Sequence, residues 1–252
     1  MTEKTYKTVE VVRASRNGVV ERVSAEDEST RIRRIYPEDR RELFRALSGI
    51  DSHNIPHIEE YDFRNCDTTV IEEDVEGALL SECLLTRRFS AADVLSIAEQ
   101  LFSALDELHK HNVIHRDIKP DNIILAPSGQ IYLIDFGISR IYREDAKRDT
   151  SLLGTEGYAA PEQYGFMQTD PRADLYSAGV VIKELCETSE DLKKSPIYKI
   201  AQKCADFDPN GRYRSAGEAL REIKKIRTRA ADFFTFYYRS PSRFSRSGCI
   251  LF

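Results

Sequence analysis

His115-Arg116-Asp117-Ile118-Lys119-Pro120-Asp121-Asn122, followed thirteen residues after Asn122 by Asp135-Phe136-Gly137, is the most informative segment of the chain. Two short apolar runs, 122–125 and 131–134, surround the turn Pro127-Ser128-Gly129, a pattern that predicts a β-hairpin. Such a hairpin carries Asp135 back beside Asn122. A carboxylate and an amide oxygen are hard ligands suited to Mg²⁺, which takes few protein ligands alongside phosphate oxygens. Asp117, close by in the same loop, is placed to orient a hydroxyl and accept its proton. The spacing points to phosphoryl transfer onto a hydroxyl.

These residues resemble the signature of the protein kinase family. The resemblance implies an α+β, two-lobed protein-kinase-like fold, with a small β-rich N-lobe and a larger helical C-lobe. It makes Asp117 the catalytic base, Lys119 the cation that steadies the transferred phosphate, and Asn122 and Asp135 the metal ligands. Lys119 resembles the serine/threonine branch, as does Thr155 in Gly154-Thr155-Glu156-Gly157-Tyr158-Ala159-Ala160-Pro161-Glu162, a substrate-facing threonine by that likeness. Asp174 and Arg212 fall at the two structural anchor positions of the C-lobe. The wording of the 154–175 segment is most similar to bacterial members, the eukaryotic-like kinases. The implied cofactors are ATP and Mg²⁺, with Mn²⁺ as the other candidate metal.

Bulk properties fit one large domain or two small lobes in 252 residues. A net charge of −5 offers no basic field, so no nucleic-acid partner is expected. Five cysteines without CxxC pairing argue against a disulfide framework or zinc site and read as a reduced, cytoplasmic set. No run approaches the roughly twenty apolar residues of a membrane span, and no signal peptide opens the chain.

Strands are expected at 8–12, 19–23, 31–36, 54–58 and 68–71, with a charged helical stretch from Pro37 to about Gly49. Residues 1–77 therefore form the N-lobe and 78–228 the C-lobe. The clearest helix runs from Ser90, its N-cap, with Val94, Ile97, Leu101, Leu105 and Leu108 on one stripe. Further helices are expected from Gly179, over 197–205 and over 216–226, with the segment between Thr188 and Pro196 shortened. Residues 229–252 change character: an aromatic cluster, then a Ser/Arg-rich run ending Cys249-Ile250-Leu251-Phe252. Those four residues fit a prenylation box, which makes Cys249 a candidate lipid anchor, although packing of the aromatics or a loose end is the plainer reading.

The N-lobe departs from the family pattern. No lysine occurs from Thr8 to His109. The family holds the ATP phosphates with a strand-borne lysine paired to a helix glutamate. Alignment puts Arg34 at the lysine position with Arg33 as the one-residue alternative, and period two lets only one face the cleft. Leu43 stands where the glutamate belongs and Glu42 is one step off. Glu72, at the position before the hinge, either pairs with Arg34 or points to solvent. In the phosphate-covering loop only Gly18 survives; Arg13 and Ser15 replace glycines. Val20 would cover the adenine, and the backbone near Glu73 and Val75 would bind its edge. Arg13 or Arg16 offers electrostatic compensation, or simply a solvated turn. Arg116 implies an activation segment that needs an anion, with Thr150 or Ser151 as phosphorylation sites and Glu144, Asp145 or Asp149 as built-in substitutes.

Three functions fit. The first is a serine/threonine protein kinase acting on a protein substrate of unknown identity, its activity reduced by the missing lysine. The second is a pseudokinase scaffold that binds nucleotide with little turnover. The third is a small-molecule kinase of similar fold, disfavoured by Lys119 and Thr155.

Overall fold

The computed structural model describes residues 5–15, 18–143, 154–164 and 169–239, the last eleven by backbone alone. Three strands open the fold: β1 Lys7–Ser15, β2 Gly18–Ser24 and β3 Thr30–Tyr36. Helix α1 (Arg41–Leu47) follows, then β4 (Ile58–Arg64) and β5 (Asp67–Glu73). The five strands make one antiparallel sheet in the order β1-β2-β3-β5-β4. Gly18 opens β2 with φ 133°, and a Cβ there would lie 2.1 Å from the Ile35 carbonyl oxygen. Only glycine serves at that turn.

Two expectations for this lobe need correction. Residues 54–57 are not a strand. Asn54 instead turns toward the other lobe: its Nδ2 donates to the Ile131 carbonyl (2.9 Å) and to Gln100 Oε1 (3.0 Å). The strand begins at Ile58, and a bulge between Ile58 and Glu60 breaks its period-two pattern. Second, the helix starts at Arg41 rather than Pro37. Thr68 holds the intervening turn, its hydroxyl accepting from Arg40 N and donating to Glu38 O.

The second lobe begins with β6 (Ala78–Leu79) and α2 (Leu80–Thr86), then α3 (Ala91–Lys110). Ser90 caps α3 as expected: it accepts from Asp93 N, while Asp93 reaches back to Ser90 N at 2.9 Å. All five stripe residues of α3 are buried. Strand β7 (Val113–Ile114) leads into the 115–122 segment, and β8 (Ile123–Leu125) with β9 (Ile131–Leu133) forms the expected hairpin. Strand β10 (Arg140–Ile141) pairs back with β7.

The remaining helices are α4 (Arg172–Glu187), α5 (Glu190–Lys193), α6 (Pro196–Cys204) and α7 (Ala216–Arg239). Helix α4 starts a full two turns before Gly179, because Asp170 accepts from Arg172 N at 2.8 Å and launches it. Gly179 marks a helix crossing instead; a Cβ there would meet Ala201 O and Cys204 Cβ at 2.7 Å. The shortened segment after Thr188 is the single turn α5. Helix α7 continues past Arg229 as far as Arg239, through the aromatic cluster. One continuous apolar core joins both lobes, from Tyr36, Phe44 and Val70 to Leu105, Leu185 and Ile223. No helix among the described residues is long and apolar enough to cross a membrane. The four described cysteines, Cys66, Cys83, Cys186 and Cys204, are free. Cys249 lies outside the described residues.

Candidate active site

The segment between β7 and β8 is pinned from below by one buried carboxylate. Asp174, in the first turn of α4, accepts from His115 N (2.9 Å) and Arg116 N (2.8 Å), and His109 Nε2 lies 2.9 Å away. Burial alone would raise the Asp174 pKa; hydrogen bonding and the neighbouring histidines outweigh it and hold the carboxyl below its ordinary 3.8. Asp174 thus anchors the loop, and Arg116 follows with a φ of 71°. A non-glycine residue in that region is strained, as is common where side chains are aimed for chemistry.

His115 is buried beneath Asp117, whose backbone N–H it accepts at Nδ1 (3.3 Å), while Nε2 faces the Ile134 carbonyl at 3.2 Å. Burial pushes its imidazole below the ordinary 6.5, against the pull of Asp174, Asp117 and Asp135. The unfolded chain therefore binds a proton at His115 before the folded chain does. Its stabilising share is complete above pH 6.5 and is lost as pH falls through the lower folded value, at no more than ~1.4 kcal/mol per pH unit. Thermal unfolding should show Tm dropping between pH 7 and 5.5. His115→Phe should flatten that slope whatever its absolute Tm; an unchanged slope would assign the effect elsewhere.

Above this base, four side chains converge. Thr155 Oγ1 donates to Asp117 Oδ1 at 2.6 Å, and Lys119 Nζ reaches Thr155 Oγ1 (2.8 Å) and Asp117 Oδ2 (3.0 Å). Asn122 Nδ2 donates to the Asp117 carbonyl (2.8 Å) and Oδ2 (2.9 Å). With its N–H groups spent on Asp117, the Asn122 amide keeps its oxygen for a cation.

Across the cleft stands the sheet. Val20 pairs with Arg34, and Arg34 with Val70, so Glu72 is the diagonal same-face neighbour of Arg34. Arg34 Nε donates to Glu72 Oε1 at 2.6 Å, and both side chains are under 10% exposed. Arg33 takes the opposite face, bonded to Glu21 and the Thr8 hydroxyl. Glu42 is no partner for Arg34. It is exposed and receives both 2.7 Å bonds from Arg143, while Leu43 is buried at the position expected for a glutamate. Of the two readings of Glu72, the structure contains the ion pair. Asp135, with φ 66°, lies between the lobes: Arg13 Nη2 reaches Oδ2 at 2.6 Å and Arg34 Nη1 lies 3.6 Å from Oδ1. Burial would raise its pKa, but Arg34 and then Arg13 hold the carboxyl below 3.8.

A cleft cavity of 290 Å³ brings together Arg13, Gly18, Val20, Arg34, Asp117, Lys119 and Asp135. Glu73 and Val75 do not line it. Glu73 borders a separate hollow beside Tyr132, and its N–H is already given to the His57 carbonyl at 2.9 Å. Only the Glu73 carbonyl is left to meet a base edge.

Three supporting residues carry no motif signal. Gln163 Nε2 donates to the Arg116 carbonyl (3.0 Å) and fixes the 154–164 segment to the catalytic loop. Arg40 Nη1 donates to the Phe136 carbonyl at 3.1 Å, tying the start of α1 to the segment after Asp135. Ser139 is buried and donates to the His115 carbonyl at 2.9 Å. Arg212, fully buried, grips both Glu162 oxygens at 2.6 and 2.9 Å, the anchor role expected of it. Thr150, Ser151, Glu144, Asp145 and Asp149 lie outside the described residues, as does Arg16.

Comparison with known proteins agrees with this architecture. The family model described as "Protein kinase domain" matches residues 19–235. Serine/threonine-protein kinase 36 of Pongo abelii is 34% identical over 154 residues, covering 61% of this chain and 12% of that protein. Serine/threonine-protein kinase pak-2 of Caenorhabditis elegans is 34% identical over 154 residues, covering 60% and 30%. Serine/threonine-protein kinase PAK mbt of Drosophila melanogaster is 28% identical over 176 residues, covering 68% and 28%. The chain thus spans less than a third of the length of these relatives. All three are eukaryotic, so the expected likeness to bacterial members gains no support. The family match begins after Gly18 and runs through both lobes, and on it the chain belongs to the protein kinase family.

Proposed function

We propose that this chain is a serine/threonine protein kinase that transfers the γ-phosphoryl of Mg-ATP to protein hydroxyls. The observation that carries the reading is the convergence on Asp117 of a hydroxyl (Thr155, 2.6 Å), an ammonium (Lys119, 3.0 Å) and an amide (Asn122, 2.9 Å). An acceptor serine or threonine entering the cleft exchanges with Thr155 at Asp117, which orients the hydroxyl and takes its proton. Lys119 is left to balance charge on the transferring group. Arg34, held rigid by Glu72, faces the same cavity and serves the phosphates bidentately in place of a lysine. Val20 covers the base, and the Glu73 carbonyl with the Val75 backbone meets its edge.

Asp135 and the Asn122 amide oxygen form an all-oxygen donor pair that fits a hard divalent ion, Mg²⁺ or Mn²⁺. When bound there, that ion neutralises phosphate charge. The free thiols of the four described cysteines support a reducing, cytoplasmic setting.

The second reading, a nucleotide-binding scaffold, is favoured by one contact: Arg13 already occupies the Asp135 carboxylate. Incubation with γ-labelled ATP, followed by acid hydrolysis and phosphoamino-acid separation, distinguishes the two. Label on serine or threonine supports the kinase; no label on the chain or on generic acceptors, with either metal, supports the scaffold.

A further inference from the structure

We infer that Arg13 is a nucleotide-positioning residue that stands in for a metal cation at Asp135, so that the cleft accepts a nucleoside triphosphate without a divalent ion. The inference rests on the nucleotide reading above and adds to it a counter-charge built into the sheet.

Arg13 is not aimed at the cleft by simple alternation. A register shift between Val11 and Arg13 places Arg13 opposite Val20, and Val20 in turn is opposite Arg34. Directly opposed residues share a face, so Arg13, Val20 and Arg34 form one row across three strands, all lining the same cavity. The row ends with two guanidiniums on one carboxylate: Arg13 at 2.6 Å from Oδ2, and Arg34 at 3.6 Å from Oδ1.

The charges around the cavity explain why this matters. Arg34 is already matched by Glu72, and Lys119 by Asp117. Asp135, only 12% exposed, has Arg13 at 2.6 Å as its nearer cation, while Arg34 at 3.6 Å is shared with Glu72. A triphosphate entering beside an unneutralised buried carboxylate meets like-charge repulsion in a medium less polar than water. Arg13 removes that repulsion. Its own side chain is 57% exposed, so it can yield Asp135 to a metal without disturbing the core. A glycine at this position, as the family pattern has it, would supply no such charge.

The test is equilibrium binding of a methylanthraniloyl-ATP probe to the full chain, in EDTA and in excess Mg²⁺. Arg13→Ala should weaken binding about tenfold in EDTA, the scale of one charge-assisted contact, and change it little in Mg²⁺. In an Asp135→Asn background the same substitution should have almost no effect in EDTA, because the charge that Arg13 offsets is gone. Arg13→Lys should retain most of the metal-free affinity. Equal weakening with and without Mg²⁺, or weakening that persists in the Asp135→Asn background, overturns the inference while leaving nucleotide binding intact. If the parent binds no probe in either buffer, the nucleotide reading fails and the inference fails with it. Circular dichroism of each variant confirms that the fold is kept.

Discussion

Glu72→Leu is expected to destabilise the fold by roughly 3 kcal/mol, the scale for removing one partner of a buried ion pair. The substitution leaves the Arg34 guanidinium buried with Asp135, 3.6 Å away, as its remaining counter-charge among the described residues. Burial alone would lower the Arg34 pKa, and Glu72 is the foremost group that opposes this, ahead of Tyr36 and Asp135. For a domain of this size the loss corresponds to a Tm decrease of roughly 6–12 °C. Arg34→Met in the same chain should restore most of the loss, since an apolar pair of similar volume needs no counter-charge. Urea denaturation of the parent, the single variant and the double variant measures all three. If Glu72→Leu unfolds at the parent's midpoint, the pair is not what holds β3 and β5 in register at the cleft.

Asp117→Asn is expected to lower kcat for phosphoryl transfer by about 10²–10⁴-fold, the usual contribution of a general base. Its nucleotide affinity should be equal to the parent's or tighter. With its carbonyl oxygen at the Oδ2 position, asparagine still accepts from Lys119 and the Asn122 amide, while its NH₂ donates to the Thr155 hydroxyl oxygen, so the local geometry survives. It cannot take the acceptor's proton. Steady-state transfer to a generic protein acceptor, paired with probe binding, separates the two quantities. A parallel loss of affinity would mean that Asp117 holds nucleotide rather than the acceptor hydroxyl.

The catalytic half was legible because its signals are local. The turn at Pro127-Ser128-Gly129 and the apolar runs around it dictate a hairpin, and a hairpin leaves little freedom in where Asn122 and Asp135 end up. The helix from Ser90 was legible for the same reason, its cap and stripe both being contained in one segment. The other half depends on register between strands far apart in sequence. Period two showed that only one of Arg33 and Arg34 could face the cleft, but it could not choose between them or place Glu72, 38 residues on, beside Arg34. That placement needed the β3–β5 pairing.

Bulges bear on two further features. One, in β4, puts Ile58 out of phase with the alternation of Tyr61 and Phe63 that follows it. Another, before Arg13, decides between the two readings of that residue, turning it toward the cleft rather than leaving it a solvated turn charge. Gln163 and Arg40 were invisible for a third reason: each acts on a backbone carbonyl 47 or 96 residues away, and no side-chain motif records such a contact.

Under the proposed function an arginine, fixed by Glu72, does the work of the lysine this lobe lacks. The most direct measurement is transfer of labelled γ-phosphate by the parent and by Arg34→Met, assayed side by side with ATP varied to saturation. Incorporation by the parent is expected, with its loss in Arg34→Met through weaker nucleotide binding and slower transfer together. A silent parent, or an Arg34→Met variant as active as the parent, would contradict it.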